Sequence, residues 1–349
     1  MTPSPALISL ATASPPHEID QETVAASARA QFAHRFRDFD RLFPVFRNAG
    51  IVKRQSVKPM AWYLDPQGWP ERTAAYLEGA VDLFVDAAQR ALAAASLSAG
   101  DVDTVVTVSS TGISTPSLEA RAMGRMGFRA DISRVPVFGL GCAGGVSGLS
   151  IASRLARAKP GCVVLFVCVE LCTLAVRLDE LTSANLVATA LFGDGAAACV
   201  ISTDAAKPLA VIEGTAEHTW PDTLDTMGWS VDAQGFGVIF DRSIPSFAAA
   251  NLRGGMETML GAMGLGFGDV ARFVCHPGGA KVIEAIELAL DLGQGALGAE
   301  REVLADHGNM SAPTALFVLE RVLCAEPSGR LVVTALGPGF TASCVSLAA

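Results

Sequence analysis

VPVFGLGCAGGVSGLS, residues 135–150, is the stretch on which the reading of the whole chain turns. Its first half is an apolar run that reads as a strand, and from Gly144 onward small Ala, Ser and Gly residues continue as a helix. Cys142 stands at the junction. A thiol at a helix N-terminus meets unpaired backbone N–H groups and the positive end of the helix dipole, and both favour the thiolate. The adjoining glycines permit a sharp turn and a close approach by a substrate. Taken alone, the same stretch also reads as a buried core cysteine.

Working outward, strand and helix patterns alternate. ALISLATA (6–13), VDTVVTVSS (102–110), CVVLFVCVE (162–170) and AAACVIST (196–203) read as strands, and residues 22–36 and 73–97 as helices. The second half repeats the order. AVIEGTAE (210–217) answers the opening strand, ARFVCHPGG (271–279) answers TVVTVSSTG, and SAPTALFVLERVL answers the helix after Cys142. LVVTALGPG (331–339) reads as the last strand and turn before Phe340. Ser109 and Cys142 are 33 residues apart, as are His276 and Asn309. This points to a duplicated α/β fold with halves 1–205 and 206–349, divided in the polar stretch 203–208. Simple strand–helix alternation is the rival explanation.

Composition narrows the class. The 349 residues are 50% hydrophobic, 17% charged and 7% aromatic, with 34 Gly and a formal charge of −9. A basic phosphate-binding run is missing, which argues against nucleic acid. The mean hydropathy of +0.39 raises a membrane question, but residues 162–169 fall far short of the roughly 20 that a spanning helix needs. The N-terminus has no basic leader region. Eight scattered cysteines show no zinc spacing and fit a reducing, cytoplasmic setting; no metal is expected.

His276 in FVCHPGG and Asn309 in DHGNMSAPT lie where a duplicated fold would bring strand ends and helix starts together. With Cys142 they would form a nucleophile, a proton partner and a neutral donor. A helix cap or a core histidine is the bland alternative for each, and His307 is the rival histidine.

GLGCAGG, ALFGDGAA (190–197), CHPGG, HGNMSAPT and GPGF (337–340), in this order and spacing, resemble the type III polyketide synthases, the chalcone-synthase-like branch of the thiolase superfamily. The resemblance runs from about residue 6 to residue 346. It implies a thiolase-like fold of two duplicated halves in a layered αβαβα core, and a homodimer. Cys142 would take an acyl group from acyl-CoA, while His276 and Asn309 hold malonyl-CoA and stabilise its decarboxylated enolate. His276 as an imidazolium would also lower the thiol pKa. No cofactor is implied beyond the CoA thioesters, and an acyl carrier protein is a second donor class.

The same resemblance supplies substrate contacts. Phe192 would be the gating aromatic, and Asp194 a structural residue in a turn between Gly193 and Gly195. Val238 falls where relatives place a second aromatic, so that wall is expected to be aliphatic. Cys172, Thr173 and Ala175 would tune the pocket, with Ser110 and Thr111 lining it. Thr115 would reach the partner's cavity. Gly337, Pro338, Gly339 and Phe340 would form a rigid wall, although Ala335 and Leu336 depart from the family's Gly-Phe. Arg41, Arg47, Lys53 and Arg54 would meet CoA, ordinary surface charge being the alternative. A ketoacyl-carrier-protein synthase III is the nearest rival, but its His usually precedes a polar run rather than Pro-Gly-Gly. Hydroxymethylglutaryl-CoA synthase would want a catalytic glutamate and degradative thiolase a second, differently set cysteine; a non-catalytic homologue would have lost one of the three residues. A long-chain starter giving an alkylpyrone or alkylresorcinol is expected, with tetrahydroxynaphthalene from malonyl-CoA alone as the competing product.

Overall fold

The computed structural model describes residues 3–349. The first half holds β1 (Ala6–Ala13), β2 (His17–Asp20), β3 (Lys53–Ser56), β4 (Thr104–Val108), β5 (Ser133–Val137), β6 (Val164–Leu171) and β7 (Asp194–Ser202). The second holds β8 (Ala210–Thr219), β9 (Met227–Asp232), β10 (Gly235–Phe240), β11 (Arg272–Cys275), β12 (Arg330–Gly337) and β13 (Thr341–Ala348). Nine strands run in the order β11-β12-β13-β8-β1-β7-β6-β4-β5. β1 and β8 meet only at Ala6–Val211 and Leu7–Ala210, so the ladder is two sheets joined at a corner.

The sheets share one plan. β1-β7-β6-β4 and β8-β13-β12-β11 have the same order, with β4/β6 and β11/β12 parallel and the remaining pairs antiparallel. The repeat is incomplete: β5 has no counterpart, because helices Ala280–Ala289 and Gly298–His307 fill the second half between His276 and Asn309. A strand also follows the GPGF turn, since Thr341–Ala348 pairs with both β12 and β8.

Helices Gly144–Ala158 and Thr314–Cys324 lie between the sheets, while Trp69–Ala94 covers β1, β7 and β6 from outside and Ile244–Ala262 covers β8. The result is an αβαβα stack. Its middle layer explains the small residues of the Cys142 helix: a Cβ at Gly148 would stand 2.4 Å from the Phe166 ring. β6 is buried along its whole length, as expected for an apolar strand covered on both faces. The long outer helix starts at Trp69, earlier than its apolar spacing suggests. Glu71 accepts the Gly68 N–H at 3.1 Å, and Pro70 sits in the first turn, where no N–H is needed. Among the described residues no helix is long and apolar enough to cross a membrane, and no His, Cys, Asp and Glu cluster could hold a metal ion.

Candidate active site

Cys142 lies in the single turn Gly141–Ala143 that leads into helix Gly144–Ala158. Two glycines make this turn feasible. Gly141 has φ +48°, and a Cβ there would come within 2.7 Å of Pro338 Cδ; at Gly145 a Cβ would stand 2.2 Å from the Ala312 carbonyl oxygen. The starts of the two central helices therefore abut, and the Gly-Pro-Gly loop presses on the cysteine turn.

His276 follows β11, and its N–H donates to the Thr334 carbonyl at 2.9 Å. Asn309 precedes the second central helix. Its Nδ2 donates to the Gly278 carbonyl at 3.1 Å, and its Oδ1 accepts the Ser311 N–H at 2.8 Å, which fixes the amide's orientation. Cys142, His276 and Asn309 border one small cavity of about 20 Å³ with Met227, Ile244, Leu252, Val282 and Ile286. Both ring nitrogens of His276 are buried without a partner. A buried polar group is costly unless paired, so these atoms are open to a ligand carbonyl.

Burial pushes the Cys142 thiol up to about 11, against hydrogen bonds with Ser311 and Asn309 that pull it down. Burial also pushes His276 down to about 4. Burial of both groups thus favours a neutral thiol and a neutral imidazole over the expected imidazolium partner. Glu170 lies close enough for its charge to raise the thiol further. It accepts the N–H groups of Ser110 and Thr111, yet burial lifts it to about 7.

A second chamber of about 40 Å³ also borders Cys142, with Ser110, Cys172, Phe192, Trp229, Val238 and Pro338 in its wall. Outside lies a groove of about 410 Å³ rimmed by Arg41, Arg242 and Lys281. Groove and site share Phe240, Gly278 and Val282, so these residues form the partition between the surface groove and the cavity at the thiol.

Several expected contacts lie elsewhere. Arg54 is 2% exposed and donates to the Phe192 and Ala190 carbonyls, each at 2.8 Å, so it braces the Phe192 segment and cannot reach CoA. Lys53 is paired with Glu18 at 2.8 Å, and Arg47 is exposed outside the groove lining. Thr173 donates to Asp194 at 2.7 Å and is turned into a polar cluster with Tyr63. Asp194 is structural, as expected, but it begins β7 instead of forming a turn. Ala175 packs in the apolar cluster that contains Cys172 and Phe192. Thr111 donates to Glu170 at 2.7 Å and lines a neighbouring cavity with Trp69 and Arg72. Thr115 sits on an exposed loop. Of the GPGF loop, Pro338 reaches the chamber. Phe340 is buried against Phe247, ring centroids 5.3 Å apart, while Gly337 packs on Ala143 and Gly339 supplies the turn at φ +104°. His307 is occupied at 2.7 Å by Gln55 Oε1.

The wall beside Val238 is not purely aliphatic. Trp229, paired with Val238 across the β9–β10 hairpin, sets its ring edge-on to Phe192 with centroids 6.4 Å apart. Trp229, Arg242 and Lys281 escaped the sequence reading. Lys281 follows the CHPGG motif closely enough to have been suspected, and Met227, Trp229 and Val231 alternate at the strand period, a signal that could have placed Trp229 on one face of a strand.

Comparison with known proteins now decides the family. The N-terminal domain profile of the chalcone and stilbene synthases matches residues 67–205, and the C-terminal domain profile matches residues 212–348. The chain belongs to the chalcone and stilbene synthase family. It is 39% identical to the 1,3,6,8-tetrahydroxynaphthalene synthase of Streptomyces peucetius subsp. caesius, covering 96% of this chain and 91% of that one. It is 29% identical to an α-pyrone synthesis polyketide synthase-like protein of Mycobacterium tuberculosis (strain H37Rv), covering 95% and 88%. The solved tetrahydroxynaphthalene synthase of Streptomyces coelicolor A3(2), a bacterial type III polyketide synthase, superposes with a TM-score of 0.93 at 27% identity, over 98% of this chain and 99% of that one. This type III polyketide synthase is therefore an acyltransferase of the thiolase superfamily that performs decarboxylative Claisen condensations.

Proposed function

We propose that the enzyme loads a long-chain acyl group from acyl-CoA onto Cys142, extends it repeatedly with malonyl-CoA, and releases an alkylpyrone or alkylresorcinol. The observation that carries this reading is the cavity at the three residues: beside Cys142, His276 and Asn309 its one other polar side chain is Thr334, whose hydroxyl is taken up by the Ser343 carbonyl, and the rest of the wall includes Met227, Ile244, Leu252, Val282, Ile286 and Leu336. An alkyl tail gains from apolar surface, whereas a chain made only of ketide units carries carbonyls that want donors.

Chemistry follows from the geometry. His276 takes the Cys142 thiol proton as the sulfur attacks the acyl-CoA carbonyl; the acyl–CoA C–S bond breaks, and CoA leaves as its thiol with that proton, which returns His276 to neutral. A neutral His276 donates one N–H, and Asn309 its remaining amide proton, to the thioester oxygen of malonyl-CoA. Loss of carbon dioxide leaves the C–C electron pair as an enolate stabilised by those donors. The enolate carbon attacks the Cys142-bound carbonyl; the C–S bond breaks and the thiolate departs. The Cys142 thiolate then attacks the CoA thioester of the extended chain, whose C–S bond breaks to release CoA, and the chain is again held on Cys142. Since these groups come from both halves, 1–205 supplies the nucleophile and 206–349 the oxyanion donors. Arg41, Arg242 and Lys281 rim the groove where CoA phosphates would bind, and the same rim would meet an acyl carrier protein. A cytoplasmic homodimer, with Thr115 turned to the partner's cavity, completes the reading.

Tetrahydroxynaphthalene synthesis is a second reading, favoured by the relatives and by the tightness of the two cavities. A single condensation of the ketoacyl-carrier-protein synthase kind is a third. The test offers purified enzyme acyl-CoAs of graded length with malonyl-CoA and identifies products by mass spectrometry. Alkyl-bearing products are expected. Tetrahydroxynaphthalene alone would reject the alkyl reading, and a product extended only once would reject iteration. Cys142→Ala should abolish acyl labelling, and His276→Ala or Asn309→Ala should slow malonyl decarboxylation by about 10²–10³-fold, the usual cost of one oxyanion donor.

A further inference from the structure

β9 and β10 pair with each other and with neither large sheet, yet they carry Met227, Trp229, Val238, Ile239 and Phe240 into the chamber beside Cys142. A lone two-stranded hairpin has little stability of its own. Its distance from the thiol is therefore set by what grips it from outside. Within the hairpin, the Asp241 N–H donates to the Thr226 carbonyl at 3.0 Å and Trp229 stacks on Phe236 with centroids 5.6 Å apart. From outside, Trp229 Nε1–H donates to the Ser110 carbonyl at 2.8 Å, and Phe236 packs on Trp69 with centroids 5.4 Å apart.

At the tip, Arg177 Nη1 donates to both carboxylate oxygens of Asp232 at 2.9 Å. The two ends of this pair differ in kind. Arg177 is 5% exposed, and its guanidinium also binds Asp179. Its backbone is clamped by the Asn185 amide, which accepts the Arg177 N–H at 3.1 Å and donates to the Arg177 carbonyl at 2.6 Å. Asp232 ends β9 with its side chain 56% exposed. A fixed cation thus holds a carboxylate on the one chamber wall that no sheet secures. Arg177 also closely follows the turn Cys172–Ala175, so the pair ties the Cys172 wall to the Trp229 wall across the chamber.

We propose that the Arg177–Asp232 ion pair is a latch that holds the β9–β10 hairpin down, making both groups positioning residues that limit the length of acyl chain carried on Cys142. This rests on the reading above that Cys142 carries an acyl chain, and places that chain in the second chamber bordering the thiol, beside Trp229 and Val238. Releasing the latch lets the Trp229 wall move outward while Cys142, His276 and Asn309, on other elements, keep their places.

The test offers hexanoyl-CoA and palmitoyl-CoA in competition, with malonyl-CoA, to the full chain and to Asp232→Ala and Asp232→Glu, and measures the ratio of long-tailed to short-tailed products. Asp232→Ala is expected to raise that ratio about threefold, the scale of a half-exposed pair. Asp232→Glu should restore it, and molar salt should raise it in the parent but not in Asp232→Ala. Iodoacetamide labelling of Cys142 and malonyl decarboxylation should not change. An unchanged ratio with full labelling overturns the latch alone. If the parent forms no acyl-extended product from either starter, the chamber reading falls and the latch with it.

Discussion

At the scale of the residue, two buried groups beside the thiol titrate in opposite senses. His276 is pushed down to about 4 by burial. The unfolded chain therefore takes up a proton near the ordinary 6.5 while the fold refuses it, and stability is lost as pH falls from about 6.5 to 4. Glu170 is pushed up to about 7 by burial. There the fold keeps a proton that the unfolded chain releases near 4.5, so stability is lost as pH rises from about 4.5 to 7. The two slopes largely cancel, which hides both. His276→Asn removes the His276 loss and leaves the Glu170 slope: as pH falls from 7 to 5 the variant should gain stability relative to the parent, by about 2 kcal/mol at pH 5. Denaturant midpoints across that range measure it, and a variant that tracked the parent would contradict the sign. Glu170→Gln removes a negative charge near the thiol, so iodoacetamide should react with Cys142 at lower pH than in the parent. The reactive trio was legible because Cys142, His276 and Asn309 each stand beside a Gly or Pro turn. Arg54 was not, since the second cation of a Lys53-Arg54 pair looks the same in sequence whether it faces CoA or, as here, buried carbonyls.

At the scale of the element, the glycines of the cysteine turn act through distance. Gly145→Ala would force a Cβ to within 2.2 Å of the Ala312 carbonyl, a backbone atom with nowhere to go, so the two central helices must part. A loss of about 3 kcal/mol or more is expected, with activity lost because Cys142 and Asn309 sit at those helix starts. Gly124→Ala, in helix Leu118–Met126 with nothing within 4 Å of the new Cβ, is the control and should stabilise by about 0.5–1 kcal/mol. Thermal melts of the pair decide whether close packing, rather than glycine loss as such, is what the turn requires. The strands on either side were legible from apolar runs such as β6. The β9–β10 hairpin alternates too, with Met227, Trp229 and Val231 on one strand and Phe236, Val238 and Phe240 on the other, but the pattern does not say that these faces serve a chamber instead of a continuous core.

At the scale of the whole molecule, the duplicated order of elements was readable in the sequence, but the dependence of each half on the other was not. Helices Gly144–Ala158 and Thr314–Cys324 share one core cluster, in which Val146, Leu149 and Phe166 of the first half meet Met310, Leu316 and Leu319 of the second. Neither sheet can cover its inner face without the other half's helix, so the hydrophobic term that stabilises one half also requires the second. The chain should therefore unfold in one step, although it carries two copies of a fold. Leu319, fully buried in that layer, provides the test. Leu319→Ala should cost about 2–5 kcal/mol and should lower hydrogen-exchange protection in β6 and β12 together. A calorimetric trace with two transitions, or a Leu319→Ala variant that loosens β12 and leaves β6 unchanged, would show that the halves are separate cooperative units and that the shared layer only joins them.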